Sequence, residues 1–391
     1  MKTDIFKEAE KYYEKMCAHV DFLESNAEVG FELTKTKAYV KEALEAMGLT
    51  VKEYGKCGLG ACINGEQKGR TVLLRADMDA LLGIDAQNPS RIIHACGHHF
   101  HTAMLLGAAE ILCKNRSFDG CVKLMFQGAE EILEGASDMI ADGILKEPKP
   151  DGAIMVHVIT AVDMPIGNVI VSSGGISAPA ADFFRIRIKG GGAHGALSHQ
   201  GVDTVSAAAH VVIALNEIKA KEVAINEAMG LSIGSINGGR AANALPEEVV
   251  VEGTLRSFNE ELQKRLKGRL CHISQNIAAA FRAEAEVEFL GGCPPLQNDE
   301  ELSLKIGAIL REILGNECVK MSSQMEGGMS GGSEDFAYVS RLVPSVMIAV
   351  AAGDKRDGYK FPLHNPRASF DKKSLKIGAV AYAASAHGFL R

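Results

Sequence analysis

The segment TVLLRADMDAL, residues 71–81, indicates the class of fold. Its first part is a near-continuous apolar run, which is typical of a strand buried on both faces of a parallel sheet. Two acidic residues, Asp77 and Asp79, follow that run. Similar apolar runs recur as VKLMF at 122–126, GAIMVHV at 152–158 and SVMIAV at 345–350.

Helices are predicted where apolar residues recur with helical spacing. They cover about 4–24, 34–48, 102–114, 135–145 and 299–314. Strands and helices therefore alternate along this part of the chain. The alternation predicts an α/β fold with a mostly parallel sheet flanked by helices.

The spacing of apolar residues changes after Pro179, because apolar and polar residues alternate with a period of two in DFFRIRIKG at 182–190. The elements predicted next are a helix at 202–219, strands at 231–238 and 248–257, a helix at 259–281 and a strand at 285–291. This βαββαβ order is typical of a ferredoxin-like domain. We therefore predict a discontinuous larger domain, 1–180 and 292–391, and an inserted domain at 181–291.

Composition excludes several classes of function. The 391 residues hold 42 Lys and Arg against 49 Asp and Glu, a net charge of −7, so we expect no nucleic-acid partner. No apolar stretch reaches about 18 residues, and the charged N-terminus does not read as a secretory signal, so no membrane role is expected. Nine scattered cysteines without a CxxC pair predict reduced thiols in a cytoplasmic protein.

Histidines cluster in the segment HACGHHFHTAMLLGAA, which starts at residue 94. Helical periodicity begins just after the cluster, so we place it in a turn that opens a helix. Cys96 and His98 can face one metal ion from such a turn, and Gly97 between them permits a tight backbone. A buried polar helix start is the alternative for any single histidine, but the density of histidines favours a metal.

Other predicted strands are also followed by residues that can bind metals. Glu130 and Glu131 follow VKLMF, at the carboxyl end of a strand, where open α/β sheets bind ligands. Adjacent carboxylates there can divide into a metal ligand and a general base. His157 ends GAIMVHV, and His364 lies in FPLHNP. With the acidic residues after TVLLRA, these segments offer enough ligands for two metal ions.

The motifs and their order resemble those of the M20 metallopeptidases. The shared motifs are RADMDAL, HACGHxxHTAMLLGAA, FQxAEE, GGGAHGALSH, GTLR, GGSEDFAY and PLHNP. The similarity is greatest to the amidohydrolase branch, which contains hippurate hydrolases, auxin-conjugate hydrolases and N-acyl-amino-acid deacetylases. It covers about residues 20–385.

This resemblance implies metal-dependent hydrolysis of the amide bond of a small N-acyl amino acid. By similarity, two divalent ions (Mn, Zn, Co or Ni) would be bound by Cys96, His98, Glu131, His157 and His364. Glu130 would be the general base for a metal-activated water. Asp79 would orient one of the metal ligands.

The resemblance also assigns roles in the inserted domain, which would serve as a lid and a dimerisation surface. His194 is similar to a residue that stabilises the oxyanion and is offered across the interface of a homodimer. Asn243 and Arg256 resemble substrate-binding residues, with Arg256 a fork for a carboxylate. His199 either assists His194 or caps a loop.

The sequence departs from the family pattern at His99, where an acidic residue is expected. If that carboxylate supports a ligand, its absence weakens one metal position; alternatively, His99 is itself a ligand or a substrate contact. Gly128 and Thr160 replace prolines, which we interpret as backbone adjustments.

Two other functions stay open: an M20-type dipeptidase, and a catalytically silent relative that binds a small ligand.

Overall fold

A computed structural model describes residues 2–325 and 332–391 of the chain. The helices are α1 Lys2–Lys11, α2 Tyr13–Ser25, α3 Thr34–Ala46, α4 His98–Lys114, α5 Gly135–Ala141, α6 Thr204–Lys221, α7 Glu260–Ala280, α8 Glu300–Leu314, α9 Ala337–Ser340 and α10 Ser374–Leu390. Short 3₁₀ helices lie at Gly195–Gln200, Ser322–Gln324 and Lys355–Asp357.

The strands complete the secondary structure. They are β1 Val51–Tyr54, β2 Gly58–Asn64, β3 Gln67–Asp77, β4 Leu81–Leu82, β5 Ile92–Ile93, β6 Asp119–Gln127, β7 Gly152–Ile159, β8 Val169–Val171, β9 Gly175–Ala178, β10 Ala180–Lys189, β11 Ala193–His194, β12 Met229–Gly238, β13 Ala244–Leu245, β14 Glu248–Ser257, β15 Glu284–Cys293, β16 Leu296–Asn298, β17 Val319–Met321 and β18 Ser345–Ala351. Within the residues described, no helix combines the length and apolar character needed to cross a bilayer.

The chain divides into two compact units. The larger unit comprises Met1–Ser177, Gln297–Met329 and Asp335–Arg391, and the smaller unit comprises Ala178–Leu296 and Ser330–Glu334. The smaller unit overlaps the predicted inserted domain, 181–291, whose limits stay a prediction.

The larger unit is built on an eight-stranded sheet with the order β1-β2-β6-β3-β7-β18-β8-β17. The central pairs β3–β6, β3–β7 and β7–β18 are parallel, as is β8–β17. The pairs β1–β2, β2–β6 and β8–β18 are antiparallel. The prediction of a mostly parallel sheet flanked by helices is confirmed, and the sequence missed the antiparallel edges.

The core of the larger unit lies between the sheet and its helices. It includes Leu74 of β3 and Leu124 of β6, together with Leu105 of α4 and Ala383 of α10, all fully buried. The consecutive residues 98–112 of α4 are all buried, which explains why apolar residues lie on every side of this helix after its first turn. A helix enclosed in this way holds the side chains at its first turn in fixed positions.

Three predicted helices differ from the observed ones. The helix predicted over 4–24 is interrupted at Tyr12, where φ is −93° and ψ is 2°, so α1 and α2 are separate. The helix predicted from 102 begins at His98, because the left-handed Gly97 precedes it directly. The helix predicted over 135–145 ends at Ala141, since Gly143 has a φ of 93°.

The smaller unit contains a four-stranded antiparallel sheet with the order β12-β14-β10-β15. Ile186 and Val251 from the sheet share a buried core with Val211 of α6 and Leu266 of α7. Together with the βαββαβ element order, this strand order confirms the predicted ferredoxin-like fold.

Candidate metal centre

Cys96 and His98 flank a glycine that reverses the backbone before α4. Gly97 has a φ of 90°, and a Cβ atom there would lie 2.3 Å from Cγ2 of Val158, so this position requires glycine. As a result, one ligand atom each of Cys96, His98 and His157 lie within 4.8 Å of one another. All three side chains are buried.

Among the further groups of ligand atoms that share a member with the first, two also contain Glu131. Cys96, Glu131 and His364 form one, and His98, Glu130 and Glu131 form the other, each within 4.8 Å. The structure therefore brings together all five residues named above as metal ligands. We call this set the metal cluster: Cys96, His98, Glu131, His157 and His364. All of it lies in the larger unit.

The imidazole of His157 is oriented by its own strand. Its Nδ1 lies 2.7 Å from the carbonyl oxygen of Val158, which can only accept, so Nδ1 carries the proton. The other nitrogen, Nε2, then has a lone pair and lies 3.7 Å from Sγ of Cys96. Such a hydrogen bond from the remote nitrogen is the usual support of a metal-binding histidine.

His364 enters the metal cluster from a loop with a strained backbone. Its φ is 63°, a left-handed value that is uncommon for a residue other than glycine. Its N–H donates to the carbonyl of Ala95 at 3.0 Å, and its Nε2 lies 3.5 Å from Oε2 of Glu131. Burial lowers the pKa of His364, which favours the neutral ring that binds metals.

Asp79 holds the backbone of both glutamates. Its Oδ1 accepts the N–H of Glu130 and its Oδ2 accepts the N–H of Glu131, each at 3.1 Å. Its Oδ1 also lies 3.5 Å from Nδ1 of His98. A wholly buried carboxylate in this position orients the metal cluster from behind.

The charges around His98 favour a cation. Burial alone would lower the pKa of His98, but Asp77, Cys96 and Asp79 outweigh burial and hold this pKa well above its ordinary value. Neither ring nitrogen of His98 makes a hydrogen bond of normal geometry within the described part of the chain.

Burial raises the pKa of the Cys96 thiol, which a bound metal would deprotonate. Thiolate, imidazole and carboxylate donors together fit Zn, Mn, Co or Ni.

His101 supports the site without being available as a ligand. Its Nδ1 lies 2.5 Å from Oδ1 of Asp77, and its Nε2 accepts the N–H of Val158 at 2.8 Å. Both nitrogens are therefore engaged by the protein. Burial lowers the pKa of His101 to about 3, so the ring is neutral.

His99 lies in an aromatic cluster. Its ring stacks on His94 with centroids 4.7 Å apart and meets Phe100 and Phe370 edge-on. Burial lowers the pKa of His99 well below its ordinary value, so the ring is neutral. Among the residues described, His99 belongs to none of the groups of ligand atoms within 4.8 Å.

In the smaller unit, the structure brings His194 and Asn243 together. His194 on β11 pairs with Ala244 on β13, and the N–H of Gly195 donates to the carbonyl of Asn243 at 2.7 Å. Nδ1 of His194 accepts the N–H of Ala196 at 3.2 Å. A neutral ring that accepts at Nδ1 carries its proton on Nε2, and the side chain is exposed.

The other two predicted residues of the smaller unit lie on separate elements. Arg256 on β14 is half-buried, and its Nη1 donates to Oγ of Ser333 at 2.8 Å. His199 is exposed in the 3₁₀ helix that follows His194.

The chain matches the Peptidase family M20/M25/M40 over residues 73–387. It belongs to this family. N-acetyl-L-cysteine deacetylase of Bacillus subtilis strain 168 is 35% identical over 356 residues, which cover 89% of this chain and 82% of that protein. IAA-amino acid hydrolase ILR1-like 2 of Arabidopsis thaliana is 31% identical over 383 residues, covering 94% and 84%.

A solved structure supports the same assignment. The YxeP protein of Bacillus subtilis, described as a dinuclear metal binding peptidase from the M20 family, superimposes with a TM-score of 0.77 and 25% identity. The match covers 97% of this chain and 99% of that one. The chain is a metal-dependent amide-bond hydrolase of the M20 family.

Packing explains the two proline replacements in this M20 hydrolase. At Gly128, a Cβ atom would lie 2.4 Å from Sγ of Cys57 and 2.5 Å from Cδ1 of Leu33, so no side chain fits. Oγ1 of Thr160 donates to the carbonyl of Ser369 at 2.8 Å, a bond that proline cannot make.

Sequence reasoning missed three residues of this M20 hydrolase that adjoin the metal cluster. Arg75, Gln127 and Asp335 are wholly buried and hydrogen-bond to one another. The available signal was the charge of Arg75 inside the apolar run TVLLRA, since a buried charge needs a partner.

Proposed function

We propose that this M20 hydrolase cleaves the amide bond between an acyl group and an amino acid, with Glu130 as the general base. The observation that carries the proposal is the position of Glu130, which shares a group of ligand atoms within 4.8 Å with His98 and Glu131. The names of two relatives, a deacetylase of N-acetyl-L-cysteine and a hydrolase of IAA-amino acids, support this class of substrate.

The metal cluster is proposed to hold two divalent ions. When bound, such an ion lowers the pKa of a coordinated water towards about 7 and polarises the substrate carbonyl. His98, Glu131 and the thiol of Cys96 would be central to holding the ions, because each belongs to more than one group of ligand atoms. We also propose a cytoplasmic location, where reducing conditions keep this free thiol available.

Glu130 is proposed to move the proton. Its carboxylate is nearly buried, with Oε2 3.7 Å from Nε2 of His98, and its backbone is held by Asp79. A carboxylate fixed in this way can accept a proton from water and return it to the departing amine. The carboxylate of Asp79 also accepts the backbone N–H of Glu131. The side chain of Glu131 is then left to bind metal.

Residues of the smaller unit are proposed to bind the substrate. The Nε2–H of His194 is a donor for the oxyanion that forms when the carbonyl is attacked, because Ala196 occupies Nδ1. Asn243, fixed beside His194 by its bond to Gly195, is proposed to contact the substrate amide. Arg256 is proposed to bind the substrate carboxylate.

We propose a homodimer that forms through the smaller unit. β12 lies at one edge of the four-stranded sheet and has neither a charged residue nor a proline, whereas β15 at the opposite edge carries three glutamates. Charges on an edge strand oppose pairing, so β12 is the edge suited to a second copy. Ile213 on α6 is 63% exposed, which adds apolar surface to the same unit.

Sedimentation equilibrium tests this homodimer. Ile236→Lys places a charge on β12, and Leu290→Lys is the matched change on β15; both side chains are exposed, by 52% and 37%. We expect a dimer for the wild type and for Leu290→Lys, and a monomer for Ile236→Lys. A monomeric wild type would contradict the homodimer.

A substrate panel tests the proposed reaction. The Mn²⁺-loaded protein is incubated with N-acetyl and N-benzoyl amino acids and with dipeptides that carry a free α-amine, and the released amino acid is measured. We expect kcat/KM for the best N-acyl amino acid to exceed that for any dipeptide by at least about tenfold. Turnover of dipeptides alone would indicate a dipeptidase. Absence of turnover by the metal-loaded protein would indicate a silent ligand-binding relative.

A further inference from the structure

A wholly buried ion-pair network adjoins the metal cluster in the larger unit. We call it the Arg75 network, and its members are Arg75, Asp77, Gln127 and Asp335. Arg75 donates from Nε to Oε1 of Gln127 at 2.9 Å, from Nη1 to Oδ2 of Asp77 at 2.8 Å and from Nη2 to Oδ1 of Asp335 at 2.9 Å. The same oxygen of Asp77 lies 3.8 Å from Nε2 of His98.

Asp335 joins three separate parts of the larger unit. Its Oδ1 accepts from Arg75 on β3 and from Nε2 of Gln127 at the end of β6, the latter at 2.7 Å. Its Oδ2 accepts from Gln127 at 2.8 Å and from the N–H of Ala136 at the start of α5 at 2.9 Å. One carboxylate therefore fixes two strand ends and a helix start.

Stability alone does not account for this arrangement. Moving a charged group into the interior costs several kcal/mol, and apolar side chains of similar volume often give an equally stable fold. Here one guanidinium faces the two carboxylates of Asp77 and Asp335, and all three side chains are completely buried. We therefore infer that this network has a function in the neighbouring metal cluster.

The network brackets the segment that carries the two glutamates. Gln127 precedes this segment and Ala136 follows it, and both are bound by Asp335. Between them, Ala129 and Leu133 have left-handed φ values of 56° and 58°. Strained backbone of this kind persists only where the surrounding contacts hold it firmly.

We propose that Asp335 is a positioning residue for the hydrolytic site. By binding Gln127 and Ala136, Asp335 holds the intervening loop in its strained form. The loop then directs Glu131 to the other members of the metal cluster and Glu130 to the proton that is transferred. This inference rests on the proposed function. It adds a residue that acts through its hydrogen bonds to Arg75, Gln127 and Ala136.

The test compares Co²⁺ binding and catalysis in Asp335→Asn with those of the wild type. The amide keeps the shape of the side chain but loses its charge and turns one acceptor into a donor. We expect Co²⁺ affinity to fall by about 10–100-fold, with a changed visible absorption spectrum of the bound Co²⁺. For the best N-acyl amino acid, we expect kcat to fall more than KM changes.

Asp182 offers a matched control in the smaller unit. It is 3% exposed and accepts from Nε2 of Gln263 at 2.8 Å and from Nζ of Lys267 at 2.7 Å, so its donors are also an amide and a cation. Asp182→Asn measures the general cost of neutralising a buried aspartate. It should lower the melting temperature without changing Co²⁺ affinity or spectrum.

Gln127→Met is a second variant if Asp335→Asn does not fold. It keeps the side-chain volume and removes both hydrogen bonds to Asp335 without adding a charge. A Co²⁺ affinity within about twofold of the wild type and an unchanged spectrum, in whichever variant folds, would overturn the positioning role. Failure of the proposed function would look different, since the wild type itself would then bind no Co²⁺ or hydrolyse no N-acyl amino acid.

Discussion

The carboxylate of Asp79 accepts the backbone N–H of Glu130 at 3.1 Å, and its second oxygen does the same for the next residue. Asp79→Asn replaces one of these acceptors by a donor that repels the N–H. We expect metal affinity and kcat each to fall by about 10–100-fold, measured by chelator competition and by turnover of an N-acyl amino acid.

Asp151→Asn is the control for this change. Asp151 accepts the N–H of Thr71 at 2.7 Å, so it makes the same type of bond where the apolar run of β3 begins. It should leave metal affinity unchanged. Equal affinities for Asp79→Asn and the wild type would show that Asp79 does not orient the metal cluster.

Metal binding should stabilise the fold, and Cys96 should be needed for it. A ligand at about 100 times its Kd stabilises the folded state by about 2.7 kcal/mol per site. We expect urea unfolding to show a gain of this order when Mn²⁺ is added to chelator-treated wild type. Cys96→Ala should lose most of it, because Cys96 belongs to two groups of ligand atoms.

Cys57→Ala separates metal binding from packing. Cys57 is also buried, and its Sγ fills the space that a Cβ atom at Gly128 would need. Among the residues described, it belongs to none of the groups of ligand atoms. Its loss should lower stability equally with and without Mn²⁺. A full Mn²⁺ gain in Cys96→Ala would remove Cys96 from the ligand set.

His99→Phe tests whether the replacement of the expected acidic residue affects the metals. Because His99 packs against His94 and Phe370, a phenyl ring should occupy its place at a cost below about 1.5 kcal/mol. We expect elemental analysis to give the same metal content as the wild type. Loss of one equivalent of metal in His99→Phe would show that His99 supports one of the two metal positions.

His19 should make stability depend on pH. It is 4% exposed with Nδ1 2.9 Å from Oη of Tyr39, and burial lowers its pKa to about 4. The unfolded chain therefore binds a proton more readily than the folded one between about pH 6.5 and 4. The contribution of His19 is complete above this window and is lost as the pH falls through it, by about 3 kcal/mol.

His19→Gln measures this contribution. Urea unfolding of chelator-treated protein at pH 7.5 and pH 4.5 removes the effect of metal loss in acid. We expect the difference in unfolding free energy between the two pH values to be smaller in His19→Gln than in the wild type. An identical pH dependence would show that His19 is not buried as a neutral ring.

The sequence predicted the elements whose patterns are long. The ten-residue strand β10 shows its period of two clearly, and the βαββαβ order of the smaller unit followed from it. The three-residue strand β8 is too short to show any period, so its antiparallel pairing with β18 was missed. The break at Tyr12 was missed because helical spacing continues on both sides of it.

The candidate site was predictable where its residues lie close together in sequence. Cys96 and His98 are separated only by a glycine, and Glu130 precedes Glu131 directly. The Arg75 network was not predictable in this way, because Arg75 and Asp335 are 260 positions apart. Only the fold brings such residues into contact.

Glu130→Gln in the Mn²⁺-loaded protein tests the central claim most directly. The amide keeps the size of the side chain but cannot accept the proton. We expect kcat for an N-acyl amino acid to fall by about 10²–10⁴-fold while the metal content stays that of the wild type. Near-wild-type turnover with full metal content would contradict the role of Glu130 as general base.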